Sequence, residues 1–128
     1  MARDSGEGNS AALLTVNGAV KGDALGSAVT AENDQWAVGV PLADITGKGA
    51  GSVLVFSGLN ANPIKTLHGS TAGDNFGGAL NMQGDVNKDG KNDIAIGAVR
   101  FDVDTAVNSK AVLLKDAGRV QVLSGTAL

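Results

Sequence analysis

The chain has 128 residues, a formal net charge of −3, no Cys, and 19 Gly against 3% aromatics. That length suits one domain, the charge leaves no basic footprint for nucleic acid, and the absence of Cys removes disulfides. No apolar run approaches the ~20 residues of a membrane span, so membrane insertion is not expected.

Residues 1–10 are polar and lack the apolar core of a signal peptide. Glycine at about twice average usage argues for many turns and short strands. With few aromatics, Ala and β-branched residues must do the packing. The first apolar stretch, 11–16, precedes an Asn17-Gly18 turn and reads as a strand. Further strands are predicted at 26–30, 35–40, 52–57 and 64–68, each bounded by Gly, Asn or Asp turns. A second set is predicted at 77–82, 93–98 and 119–124. The stretch 110–115 is short enough to be a helical turn, a loop or an extra strand. No convincing helix is present.

The two sets are one sequence written twice. Residues 15–29 recur at 66–80, 51 positions on, with Gly18, Gly22, Asp23 and Gly26 falling on Gly69, Gly73, Asp74 and Gly77. Trp36-Ala-Val-Gly-Val40 lies over Ile94-Ala-Ile-Gly-Ala98, and 51–58 lies over 118–125. Four antiparallel strands per repeat is the content of a β-propeller blade. The expected fold class is therefore all-β, with about two blades: 24–69 and 75–128. The stretch 11–18 is then a fourth strand without its own blade.

The second copy carries an insertion that the first lacks. Residues 84–93 read G-D-V-N-K-D-G-K-N-D. The alternation Asp85, Asn87, Asp89 turns three oxygen-bearing side chains inward from a curled loop. Gly90 frees the backbone to turn at positive φ, the carbonyl of Lys91 can face the ion, and Asp93 closes the shell. Ca²⁺ takes six to eight oxygens at roughly 2.3–2.6 Å, so the expected metal ligands are Asp85, Asn87, Asp89, Lys91 and Asp93, and the expected cofactor is Ca²⁺. An EF-hand is excluded, because its twelfth position would be Ile96 and a β-prone run follows. The plain alternative is an acidic surface turn without an ion. In the first copy only Glu32, Asn33 and Asp34 remain at this place, too few for a similar cage.

Phe76-Gly77, the loop 85–93, Ile96-Gly97-Ala98 and Gly118-Arg-Val-Gln-Val-Leu-Ser-Gly125 together resemble the FG-GAP repeat of integrin α-subunit β-propellers and their bacterial relatives. The resemblance is strong in the second copy. In the first, Leu25-Gly26 replaces Phe-Gly and Gly39-Val40-Pro41 replaces Gly-Ala-Pro; the second has Val99 where the family has Pro. The family implies Ca²⁺ in the loop between a blade's first two strands, on the lower face. It also implies protein or glycan partners on upper-face loops, here 17–24, 42–50, 69–75 and 100–117, and an extracellular or cell-surface location.

Such rings usually hold seven blades, and fewer than three repeats rarely bury a continuous core. The strand 11–18 is therefore expected to complete the second blade of another chain, head to tail. Three or four chains would give six or eight blades. Neighbouring blades of a longer parent are the other source of cover. The function expected is a calcium-binding structural or adhesion module and not an enzyme, since the single His68 and the absence of Cys leave little for a triad. Alternatives are a lectin-like propeller, an accessory domain of a hydrolase, and an engineered or excised fragment without its own ligand. Asp102 and Asp104, with Asn108 nearby, form a loop D-x-D able to bind a cation or a basic group. Trp36 and Phe56 align with Ile94 and Leu123 and are expected in the core. Asp23 and Asp74 are expected to accept local backbone hydrogen bonds.

Overall fold

A computed structural model describes residues 11–125; the polar segment 1–10 and residues 126–128 lie outside the described part. Nine strands follow in order: β1 (Val29–Glu32), β2 (Gln35–Val40), β3 (Ser52–Ser57), β4 (Lys65–His68), β5 (Phe76–Gly84), β6 (Asp93–Ala98), β7 (Val103–Val107), β8 (Lys110–Leu114) and β9 (Arg119–Leu123). Among the described residues there is no α-helix. The strands form a four-stranded sheet β1-β2-β3-β4, a three-stranded sheet β5-β6-β9 and a two-stranded sheet β7-β8, all antiparallel and none closed.

The first sheet sits with β1, β2 and β3 against β5. Alternation decides what lies between the sheets. From the first sheet come Ala37, Val53 and Val55; from the second come Met82, Ile94, Ile96 and Ala98, with Phe76 at the start of β5. Leu67, Leu80, Phe101 and Leu123 close the margins. Each fully buried Val, Ile, Met or Phe contributes roughly 1.5–3 kcal/mol, so this one seam holds the two repeats together. Gly39 permits the close approach. A Cβ there would overlap the Gly77 carbonyl on the facing sheet.

Two expectations need correction, and one open choice is decided. The stretch 11–16 forms no strand within this chain. Of the readings open for 110–115, the extra strand is the one found: Lys110–Leu114 is β8, half of a hairpin with β7, and its turn residues Asn108 and Ser109 have φ of 52° and 65°. Two successive left-handed residues make the tight turn whose twist matches paired strands. Trp36 is not in the seam. It is half-buried on the outward face of the first sheet, stacked on Phe56 with centroids 4.1 Å apart, and its Nε1–H donates to the Gly58 carbonyl at 2.8 Å. Phe56 is fully buried, on that outward face.

Candidate metal centre

The loop 85–92 joins β5 to β6, which are adjacent and antiparallel, so the acidic stretch is a hairpin loop with a strand on each side. β5 reaches it through two register shifts, between Phe76 and Ala79 and between Asn81 and Gly84. Gly90 has φ +90° and no atom within 4 Å of an added Cβ. Conformation, not space, requires glycine there. Lys88, at φ 59°, is a second left-handed residue, which the sequence did not announce.

Three carboxylates converge. One oxygen from each of Asp85, Asp89 and Asp93 lies within 4.8 Å of the other two. Oxygens bound to one Ca²⁺ at roughly 2.3–2.6 Å can be no more than about 5 Å apart, so the spacing fits. All donors are hard oxygens, which favours Ca²⁺, Mg²⁺ or Mn²⁺ over thiophilic metals.

Backbone N–H groups hold the carboxylates in place. Asp85 accepts from Asp89 N–H at 3.1 Å and from Gly90 N–H at 2.9 Å. Asp93, only 3% exposed, accepts from Val86 at 2.7 Å and Asn87 at 3.2 Å on Oδ2, and from Gly125 at 2.8 Å on Oδ1. It thereby ties the loop to the end of β9. Asp89 accepts from Lys91 N–H at 3.0 Å and from the Ser124 hydroxyl at 3.2 Å. The Lys91 N–H bond, then Ser124, Asn87 and Asp85, hold the Asp89 carboxyl below its ordinary range against a raising effect of desolvation. Each carboxylate oxygen has two acceptor positions, so these bonds leave lone pairs for an ion.

Of the five expected ligands, the geometry gathers Asp85, Asp89 and Asp93. Asn87 is engaged with Asp89 through its side chain, and Lys91 enters through its backbone N–H. Ser124 is the contributor that sequence reasoning missed. It lies 35 positions from Asp89, and only strand pairing brings it near. The turn 32–34 of the first sheet faces Gly90, Lys91 and Asn92 across a polar cleft of about 270 Å³.

The other candidates resolve differently. Asp74 accepts from Thr71 N–H at 3.1 Å, the Thr71 hydroxyl at 2.8 Å and the Ser70 hydroxyl at 3.3 Å, as expected of a turn aspartate. Asp102 accepts from Asp116 N–H at 2.7 Å and fastens the base of the β7–β8 hairpin, while Asp104 lies in β7 opposite Leu113. The only carboxylate cluster with metal-binding spacing among the described residues is the one at Asp85. His68 ends β4 with Nδ1 2.8 Å from the Ser52 hydroxyl, and Ser52 is 2% exposed. That is a cross-strand pair between a buried hydroxyl and an exposed imidazole. Comparison with protein-family models finds no match, and comparison with curated proteins also finds none.

Proposed function

We propose that this chain is a calcium-binding structural module: two blades of a β-propeller of the FG-GAP kind, assembled head to tail with other chains and serving adhesion outside the cell. The observation that carries the reading is the convergence of Asp85, Asp89 and Asp93 within 4.8 Å in a hairpin loop whose donors are all oxygens. Three clustered carboxylates repel one another, and a divalent cation removes that cost. The ion's part is to fold the loop and fasten β5, β6 and the end of β9. Ca²⁺ suits it better than Mg²⁺, because a loop of this kind tolerates irregular coordination while Mg²⁺ demands a near-ideal octahedron.

Isothermal titration of chelator-stripped protein with CaCl₂ and with MgCl₂ tests this. Extracellular Ca²⁺ modules bind with Kd of about 10⁻⁴–10⁻³ M, and one Ca²⁺ per chain in or below that range is expected, with weaker Mg²⁺ binding. No heat and no competition at millimolar Ca²⁺ would end the proposal.

A further inference from the structure

The sequence repeat is also a repeat of backbone. Gly22, Gly26 and Gly51 have φ of 86°, 97° and 88°; their equivalents Gly73, Gly77 and Gly118 have 83°, 94° and 86°. The bonds from Asp23 N–H to the Val20 carbonyl and from Ser27 N–H to the Ala24 carbonyl return as Asp74 to Thr71 and Gly78 to Asn75. Equivalent residues hold equivalent places, so what one repeat touches shows what the other is shaped to touch.

The two repeats are covered unequally. On the inner face of the first sheet, Val53 and Val55 are 0% exposed against the second sheet. Their equivalents Val120 and Val122, on β9, point away from the seam and are 70% and 51% exposed. Gly39 receives the Gly77 carbonyl in the space of its missing Cβ, whereas at its equivalent Gly97 the three atoms nearest an added Cβ all belong to Ala79 of the adjacent strand. The edges differ in the same way. β3 is flanked by β4, but the equivalent β9 is the outermost strand of its sheet among the described residues. The equivalent of β4 is 14–17, which is not a strand. Yet Val16 lines an apolar cavity of about 270 Å³ over Leu54 and Phe56, as its equivalent Leu67 packs at the seam.

The missing halves are both on this chain. The exposed outward face of the second sheet matches the outward face of the first, where Val29 is 68% exposed although its equivalent Leu80 packs on the seam. We infer that the outward face of the second sheet and the free edge of β9 receive a second copy of this chain, which repeats the internal seam between molecules. This rests on the head-to-tail reading above and gives it a surface and a register. Ser52↔His68, Val53↔Leu67, Leu54↔Thr66 and Val55↔Lys65 become Arg119↔Asn17, Val120↔Val16, Gln121↔Thr15 and Val122↔Leu14. The interface is heterologous, so copies add in one direction and form a ring if the rotation closes.

The register is tested by disulfide trapping in this Cys-free chain. Gly69 N–H bonds to the Gly51 carbonyl, so the Leu54–Thr66 pair falls between hydrogen-bonded pairs, where side chains are closest. The variant Thr15→Cys with Gln121→Cys is oxidised and run on a non-reducing gel, with native mass spectrometry of the unmodified chain in parallel. Thr15→Cys with Arg119→Cys is the control, displaced by two residues. Expected are masses at multiples of one chain, a ladder of linked chains from the first variant, and little from the control. Val120→Lys changes only an exposed side chain and is expected to leave a folded single chain by mass and circular dichroism. Multiples without the ladder, or a stronger ladder from the control, overturn the register while head-to-tail assembly stands. Persistence of the multiples in Val120→Lys overturns the face. A single-chain mass for the unmodified protein at all concentrations overturns the inference and the assembly reading together.

Discussion

Replacing Asp89 by Ala separates an ion site from an acidic turn. Asp89 is a fully exposed carboxylate that accepts from the Lys91 N–H and the Ser124 hydroxyl and is also engaged by the side chains of Asn87 and Asp85. Without metal its loss removes these surface hydrogen bonds and relieves repulsion between clustered carboxylates, effects of opposite sign. In chelator, Asp89→Ala is therefore expected within about 2 °C of the parent melting temperature. With Ca²⁺ the parent gains stability by mass action, about 2.7 kcal/mol when free Ca²⁺ is 100 times Kd. For a domain of this size that is a rise of roughly 8–14 °C. The variant loses one of three clustered carboxylates, and its rise is expected to shrink to roughly 0–3 °C at the same Ca²⁺. Thermal unfolding followed by circular dichroism, in EGTA and in CaCl₂ at one protein concentration, reads both quantities. A rise in Asp89→Ala equal to the parent's would mean that Asp89 holds no part of the ion. So would a parent that melts at the same temperature in both buffers.

Asp93→Ala should behave otherwise, since Asp93 is buried and serves three N–H groups; a loss of about 2–4 kcal/mol is expected even in chelator, measured by urea unfolding. Gly39→Ala should destabilise by about 1–3 kcal/mol, because its Cβ meets backbone across the seam and backbone yields little. Ile94→Ala, at a fully buried position, should cost about 2–5 kcal/mol in the same assay. Acid should weaken the loop in a definite direction. The folded-state pKa of Asp89 is lowered, chiefly by the Lys91 N–H, so its contribution is present above the ordinary carboxylate range and fades as pH falls through and below that range. A pH series of melting temperatures in chelator, comparing the parent with Asp89→Ala, checks the sign: the parent should lose stability relative to the variant as pH falls through and below the ordinary carboxylate range.

Where a short apolar run is bounded by turn residues, the sequence foretold the strands to the residue: 35–40, 52–57 and 93–98 coincide with β2, β3 and β6. Local patterning and turn residues act together there. β5 runs past its expected limits at 77–82 because two register shifts absorb extra residues, and bulges leave no compositional mark. The β7–β8 hairpin was harder, since Asn108-Ser109 lacks the glycine that usually betrays such a turn. That is why Asp102-Val103-Asp104 looked like a ligand pair when it is the entry to a strand. Trp36 shows a limit of the repeat itself. Alignment with Ile94 correctly gives its face of the sheet, but burial depends on what lies opposite, and the seam lies on the other side. In the acidic loop, the spacing of the carboxylates and Gly90 were readable because they are local. The Gly125 N–H on Asp93 and the Ser124 hydroxyl on Asp89 were not, because they arrive through the pairing of β6 with β9.

The most direct measurement is an anomalous difference map from crystals of the full chain grown in CaCl₂. One peak is expected between the carboxylates of Asp85, Asp89 and Asp93, at about 2.3–2.6 Å from each coordinating oxygen. A loop in the same curl with no peak, or a cation seated on other side chains, would contradict it.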